Sequence, residues 1–135
     1  MKSEKRFYGE GSNGKRPESR CTIYVDGTAG ADFREDLDIE LSHWIPNRTE
    51  ERYKAGTSTE ICFKFLEAHR AHPYDLVVNN HLDIDGLLSV FVLAYPTIAL
   101  QYREVLSHAS KAGAFWAWAE GRALTLFQEL TLLYR

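Results

Sequence analysis

The sequence has no apolar segment of about 18 residues and no apolar stretch near its start of the kind that a signal peptide needs. It has only two cysteines, Cys21 and Cys62, both in apolar surroundings, which does not indicate a disulfide framework. It also lacks a basic excess, with 16 Lys and Arg against 19 Asp and Glu. These absences predict a cytoplasmic protein without a membrane partner and argue against nucleic acid as a ligand.

Charge and apolar residues are distributed unevenly along the 135 residues. Residues 1 to 20 carry six basic and three acidic side chains, a net of +3, and their main apolar residues are Phe7 and Tyr8. This composition predicts a flexible tail. Because the whole chain has a charge of −3, residues 21 to 135 hold −6. They are predicted to form a single domain, since they contain enough apolar residues for only one sizeable core.

Three short runs have the composition of β-strands, at residues 21 to 25, 37 to 41 and 76 to 79. Between the second and the third run, Thr57 and Glu60 have the spacing of a capping box, which predicts the start of a helix. A strand, a helix and a strand in this order favour a parallel, right-handed crossover. We therefore predict an α/β fold with a short parallel or mixed sheet, a Rossmann-like crossover and a helical C-terminal half.

Helical spacing of apolar residues continues after the third strand. It predicts helices from Gly86 to Ala94, from Pro96 to near Gly113, and from about Arg122 to Tyr134. The last of these has apolar residues around much of its circumference, which predicts that it packs against a large surface.

The motif His81-Leu82-Asp83-Ile84-Asp85-Gly86 lies between the third strand and the helix after it. In an extended turn, side chains two residues apart project to the same side, so His81, Asp83 and Asp85 can converge on one or two cations. Imidazole and carboxylate ligands suit Mn²⁺, and Mg²⁺ is the other plausible ion. The motif therefore predicts a metal site at the carboxyl end of a strand, where α/β sheets bind their ligands.

Two other aspartate-rich motifs compete with this interpretation. An EF-hand calcium loop would need a bidentate Glu where this chain has Val92, and it would not follow a strand, so it is excluded. An aspartyl phosphatase of the haloacid dehalogenase type would use Asp83 as nucleophile and Asp85 as acid and base. Leu87 then replaces the expected Thr, and residues 79 to 81 separate the apolar run from Asp83. This alternative stays open.

The motif resembles the first motif of the DHH phosphoesterases, His/Asp-x-Asp-x-Asp-Gly-x-x-Ser, which His81, Asp83, Asp85, Gly86 and Ser89 match position for position. The resemblance implies a phosphoester hydrolase that depends on Mn²⁺ or Mg²⁺ and acts on a phosphorylated small molecule or nucleotide. It makes His81, Asp83 and Asp85 metal ligands, and Asp83 and Asp85 candidate catalytic residues. No aspartate follows Asp85, so the ligands that the superfamily takes from later motifs are missing. The resemblance thus implies a hydrolase or a degenerate relative.

The wider sequence, from about residue 21 to 135, looks like an uncharacterised bacterial family with a DHH-like first motif. Its members look longer at the C-terminus, which implies a shortened version or a fragment. A non-enzymatic metal- or nucleotide-binding module that works as a homo-oligomer is the alternative function.

Four further residues are candidates for the same site. His43 follows the second strand and would bring another imidazole to the sheet edge if a parallel neighbour ends there, although a half-buried loop histidine is the commoner case. Arg48 is a weak candidate for binding phosphate. Thr57 and Ser58 begin a helix, whose N-terminus attracts anions, although capping alone explains these two residues.

Overall fold

The computed structural model describes residues 5–10, 15–79 and 83–115. Its sheet contains the strands β1 (Arg6–Gly9), β2 (Thr22–Val25), β3 (Ile39–Leu41) and β4 (Leu76–Asn79). All neighbours pair in parallel, in the order β1-β4-β2-β3. The predicted α/β fold is confirmed, and the described sheet is parallel rather than mixed.

The described helices are α1 (Ser58–Ala68), α2 (Ile84–Ala94), α3 (Pro96–Gln101) and α4 (Arg103–Phe115), and a short 3₁₀ turn precedes α1 at Glu51–Tyr53. Helix α1 begins at the predicted capping box, because the Thr57 side chain accepts a hydrogen bond from the Glu60 amide. The single helix predicted from Pro96 to near Gly113 is two helices, which meet at Tyr102. The helix predicted from Arg122 lies outside the described residues.

The prediction of a flexible tail over residues 1 to 20 is wrong for the residues that form β1. This strand pairs with β4, with Arg6 opposite Leu76 and Gly9 opposite Asn79. Phe7 packs against the hydrophobic core, with its ring centroid 6.5 Å from that of Tyr95. The composition of residues 1 to 20 does not predict this strand, because β1 depends on pairing with β4, about 70 positions later in the chain.

The main core is built by the sheet and helices α1 and α2, and α4 packs on these two helices. Strands β2 and β4 are buried along their whole length, and so is nearly all of α2. This arrangement brings the carboxyl ends of β2, β3 and β4 to one edge of the sheet, close to the first residues of α1 and α2. None of the described helices combines the length and the apolar character that crossing a membrane requires.

Candidate metal centre

Asp26 directly follows β2 and was not among the residues singled out from the sequence. Val25 lies opposite Asn79 in the sheet, so Asp26 follows β2 beside the end of β4. Its backbone is left-handed (φ 47°), as is that of Gly27 (φ 100°), and this turns the chain sharply at the sheet edge. The side chain of Asp26 is buried, with only 1% of the residue exposed.

Asp26, His43 and Asp85 converge at this edge. The Nε2 atom of His43 lies 3.5 Å from Asp26 Oδ1 and 3.3 Å from Asp85 Oδ2. One ligand atom from each of the three residues lies within 4.8 Å of the others, and the group is the one set of potential metal ligands found among the described residues. His43, which the sequence offered only as a candidate beside the commoner case of a half-buried loop histidine, therefore lies next to Asp85.

The two carboxylate oxygens of Asp26 have different surroundings. Oδ1 accepts hydrogen bonds from Trp44 Nε1 at 2.8 Å and from Ser58 Oγ at 3.0 Å. Oδ2 is buried, and within the described part of the chain no group donates to it. Oδ1 is therefore held in place by two donors, whereas no described donor holds Oδ2.

Burial and neighbouring acids raise the pKa of Asp26 to about 8. The largest cause is loss of solvation, followed by the charge of Asp85 and by the hydrogen bonding and charge of the nearby Asp83 carboxyl. The pKa of Asp85 is also raised, again chiefly by burial, although hydrogen bonds from Thr59 and Ser58 act in the opposite direction. Asp26 therefore lies near two other carboxyl groups, and ionising all three without a cation would be electrostatically unfavourable.

Asp85 is bound by the N-terminus of α1, which corrects the phosphate site predicted at Thr57 and Ser58. The Ser58 amide donates to Asp85 Oδ2 at 2.7 Å, and the Thr59 amide and hydroxyl donate to Oδ1 at 2.8 and 2.6 Å. The Thr57 hydroxyl caps the helix and contacts Ser110. A helix N-terminus does bind an anion here, but the anion is a side chain of the same protein.

Asp83 is the N-cap of α2, where its Oδ1 accepts a hydrogen bond from the Gly86 amide at 2.7 Å. This leaves Asp83 close enough to Asp26 to raise that residue's pKa. His81, the remaining ligand predicted from the motif, lies outside the described residues. The structure thus places Asp85 beside Asp26 and His43, and Asp83 near Asp26.

The described contacts of the Arg48 side chain do not reach this group. The guanidinium stacks on the Phe33 ring at 4.4 Å and lies 3.6 Å from Glu35 and 3.9 Å from Glu40. The described contacts thus do not connect Arg48 with Asp26, His43 and Asp85, and its role in binding phosphate stays a prediction.

The fold and the site define an α/β protein with a parallel sheet and an Asp-His-Asp group at its carboxyl edge. The chain belongs to a family of unknown function, DUF6687, whose model matches residues 11–131. No curated protein and no solved structure matches it significantly. The family description names no activity, so the resemblance to DHH phosphoesterases stays a prediction.

Proposed function

We propose that the chain is a phosphoester hydrolase of the DHH-like type, dependent on a divalent cation bound by Asp26, His43, Asp83 and Asp85. The observation that carries this proposal is the convergence of Asp26, His43 and Asp85 within 4.8 Å at the carboxyl edge of the sheet. Asp26 supplies a carboxylate that the motif alone lacks. His81, which was predicted from the sequence, is a fifth candidate ligand.

The charges at the site support a cation. Asp26 and Asp85 are 1% and 2% exposed, and their common neighbour among the described basic side chains is the imidazole of His43. Isolated carboxylates are costly to bury, whereas a divalent ion compensates their charge without needing a proton. Oxygen-rich ligands with one imidazole suit Mn²⁺ or Mg²⁺.

The protein's own residues hold the ligands in fixed positions. Trp44 and Ser58 orient Asp26 through Oδ1, and the start of α1 orients Asp85 through both oxygens. Such supporting hydrogen bonds reduce the reorganisation that binding a cation would otherwise require. A cation bound here would supply a hydroxide nucleophile and stabilise the charge that develops on a phosphoryl group. The substrate class proposed is a phosphorylated small molecule or nucleotide.

A non-enzymatic cation-binding module is the second candidate. It is favoured by the hydrogen bonding of Asp85, whose oxygens already accept from three donors of α1 and keep little capacity for a second metal. One cation without a second would bind a phosphate but would stabilise the reaction less than a two-metal site.

The first prediction concerns His43, and the matched control is His69, another partly buried histidine, which contacts Tyr53 at the far end of α1. We expect the wild type to bind Mn²⁺ in calorimetry and to hydrolyse bis-p-nitrophenyl phosphate only when Mn²⁺ is present. His43→Ala should lower the Mn²⁺ affinity by roughly tenfold or more and abolish turnover, because it removes a nitrogen ligand. His69→Ala should change neither the Mn²⁺ affinity nor the turnover.

Three results separate the candidates. Binding with turnover that His43→Ala removes supports the hydrolase. Binding of Mn²⁺ without turnover on the diester, on a nucleoside monophosphate or on pyrophosphate favours the non-enzymatic module. A wild-type protein that binds neither Mn²⁺ nor Mg²⁺ would end both proposals.

A further inference from the structure

Two buried oxygens without a hydrogen-bond partner lie at neighbouring strand ends. Within the described residues, three buried side-chain polar atoms have no partner: Asp26 Oδ2, Asn79 Oδ1 and His72 Nδ1. Asp26 directly follows Val25, the residue paired with Asn79 across β2 and β4. Buried polar atoms are nearly always paired. In the cation-free protein Asp26 can share a proton with the Asp83 carboxyl, but Asn79 Oδ1 has no comparable neighbour among the described residues, so this oxygen indicates a group that binds at the sheet edge.

The orientation of the Asn79 carboxamide is fixed by its other half. Nδ2 donates to the Val25 carbonyl at 3.1 Å and lies 3.5 Å from the Asp26 carbonyl. Both of these groups are acceptors only, so a flipped carboxamide would set oxygen against oxygen. Nδ2 is therefore the half of the carboxamide that contacts these carbonyls, and Oδ1 is the half without a partner among the described residues. With Asn79 only 1% exposed, bulk water does not solvate it.

We infer that Asn79 Oδ1 is an additional, uncharged ligand of the cation bound beside Asp26. The inference rests on the proposed function, since it concerns the same cation. Amide oxygens are ordinary ligands of Mg²⁺, Ca²⁺ and Mn²⁺. The strand β4 would then contribute to the centre before the His81 motif begins.

The charge of the site explains why an amide fits this position better than an acid. Asp26, Asp83 and Asp85 already place three carboxyl groups within mutual influence. A fourth acid would add repulsion in the cation-free protein, whereas an amide adds an oxygen ligand without charge. The same amide group also holds the end of β2 in place through Nδ2.

The test separates the ligand role of Asn79 from its structural role. Asn79→Asp keeps an oxygen at the Oδ1 position and loses the donor to Val25, whereas Asn79→Leu has a similar volume and loses both. In calorimetry with Mn²⁺, we expect Asn79→Leu to weaken binding at least tenfold and Asn79→Asp to bind as tightly as the wild type or more tightly. Both variants should melt at a lower temperature without metal, and Mn²⁺ should restore Asn79→Asp more than Asn79→Leu.

Thr22→Val is the matched control, because Thr22 is equally buried at the opposite end of β2 and its replacement should leave the Mn²⁺ affinity unchanged. Wild-type affinity in both Asn79 variants would overturn the ligand role and leave the proposed function standing. An equal loss of Mn²⁺ affinity in both variants would also overturn the ligand role, because both variants lose the hydrogen bond to the Val25 carbonyl. If Asn79→Leu does not fold, Asn79→Asp alone decides: tighter Mn²⁺ binding than in the wild type supports the ligand role, because a carboxylate is the stronger ligand, and equal or weaker binding overturns it. A wild type that binds no Mn²⁺ removes this inference together with the proposed function.

Discussion

Replacing Asp26 with Asn is expected to stabilise the metal-free protein at pH 8 and to abolish its binding of Mn²⁺. The amide keeps an oxygen that can accept from Trp44 and Ser58, and it presents a donor to the nearby Asp83 carboxyl. It also removes the buried acid whose ionisation is unfavourable. A residue whose neutralisation stabilises the metal-free fold, but which the proposed cation needs as a ligand, is typical of a functional site.

The pH dependence of stability follows from the pKa of Asp26. That pKa is about 8 in the folded protein against 3.8 for an ordinary Asp, so the folded state binds the proton more tightly than the unfolded state. The resulting stabilisation is fully present below about pH 4, is lost as pH rises towards 8, and changes little above that. Its full size is on the order of 5 kcal/mol. Chemical denaturation of the metal-free wild type at several pH values should show this fall, and Asp26→Asn should largely remove it.

Asp32→Asn is the control, because Asp32 is exposed and forms only a surface ion pair with Arg16. It should change neither the pH profile nor the affinity for Mn²⁺ by a measurable amount. An Asp26→Asn protein that binds Mn²⁺ like the wild type, or that is less stable than the wild type at pH 8, would contradict our account of Asp26.

Asp85→Ala is expected to give the second large effect, a loss of roughly 3 kcal/mol or more in the free energy of unfolding at pH 6. The change leaves two buried amides and one hydroxyl at the start of α1 without their acceptor. The change also removes the charge of Asp85, which raises the pKa of Asp26. At pH 6 Asp26 is protonated, so the loss of this charge adds little to the free energy of unfolding. Because the lost hydrogen bonds outweigh this effect, Asp85→Ala lowers the free energy of unfolding.

Asp83→Ala provides the comparison within the same motif. Asp83 caps α2 through one hydrogen bond to Gly86, and losing such a cap costs about 1 kcal/mol. Denaturant unfolding of both variants should therefore show Asp85→Ala as much the more destabilising. An equal or smaller cost for Asp85→Ala would mean that Asp85 does not join α1 to α2 in the way described.

The elements predicted correctly were those with local signals. The capping box at Thr57 located the start of α1, and the apolar run before Asn79 located β4, because both patterns are complete within a few residues. Strand β1 has no such pattern. Its stability comes from pairing with β4 and from packing Phe7 against a core built by distant residues.

The residues of the candidate site also divide into those with a local sequence signal and those without one. Asp83 and Asp85 belong to a compact motif, and His43 was linked to it through the expectation that parallel strands end at one edge. Asp26 was not singled out from the sequence, because its importance depends on the register that sets Val25 opposite Asn79. A search for acids directly after each predicted parallel strand would have found it. The binding of Asp85 by α1 depends on how two helix N-termini meet, which no single segment encodes.

Anomalous scattering from crystals grown with Mn²⁺ tests the central claim most directly. The proposed function predicts a manganese peak in contact with a carboxylate oxygen of Asp26 and with Nε2 of His43, at a distance of about 2.2 Å, and reaching Asp85 Oδ2 or Asp83. The Asp26 oxygen involved should be Oδ2, because Oδ1 already accepts from Trp44 and Ser58. Crystals in which Asp26, His43 and Asp85 keep their positions at saturating Mn²⁺, with no peak between them, would contradict the claim.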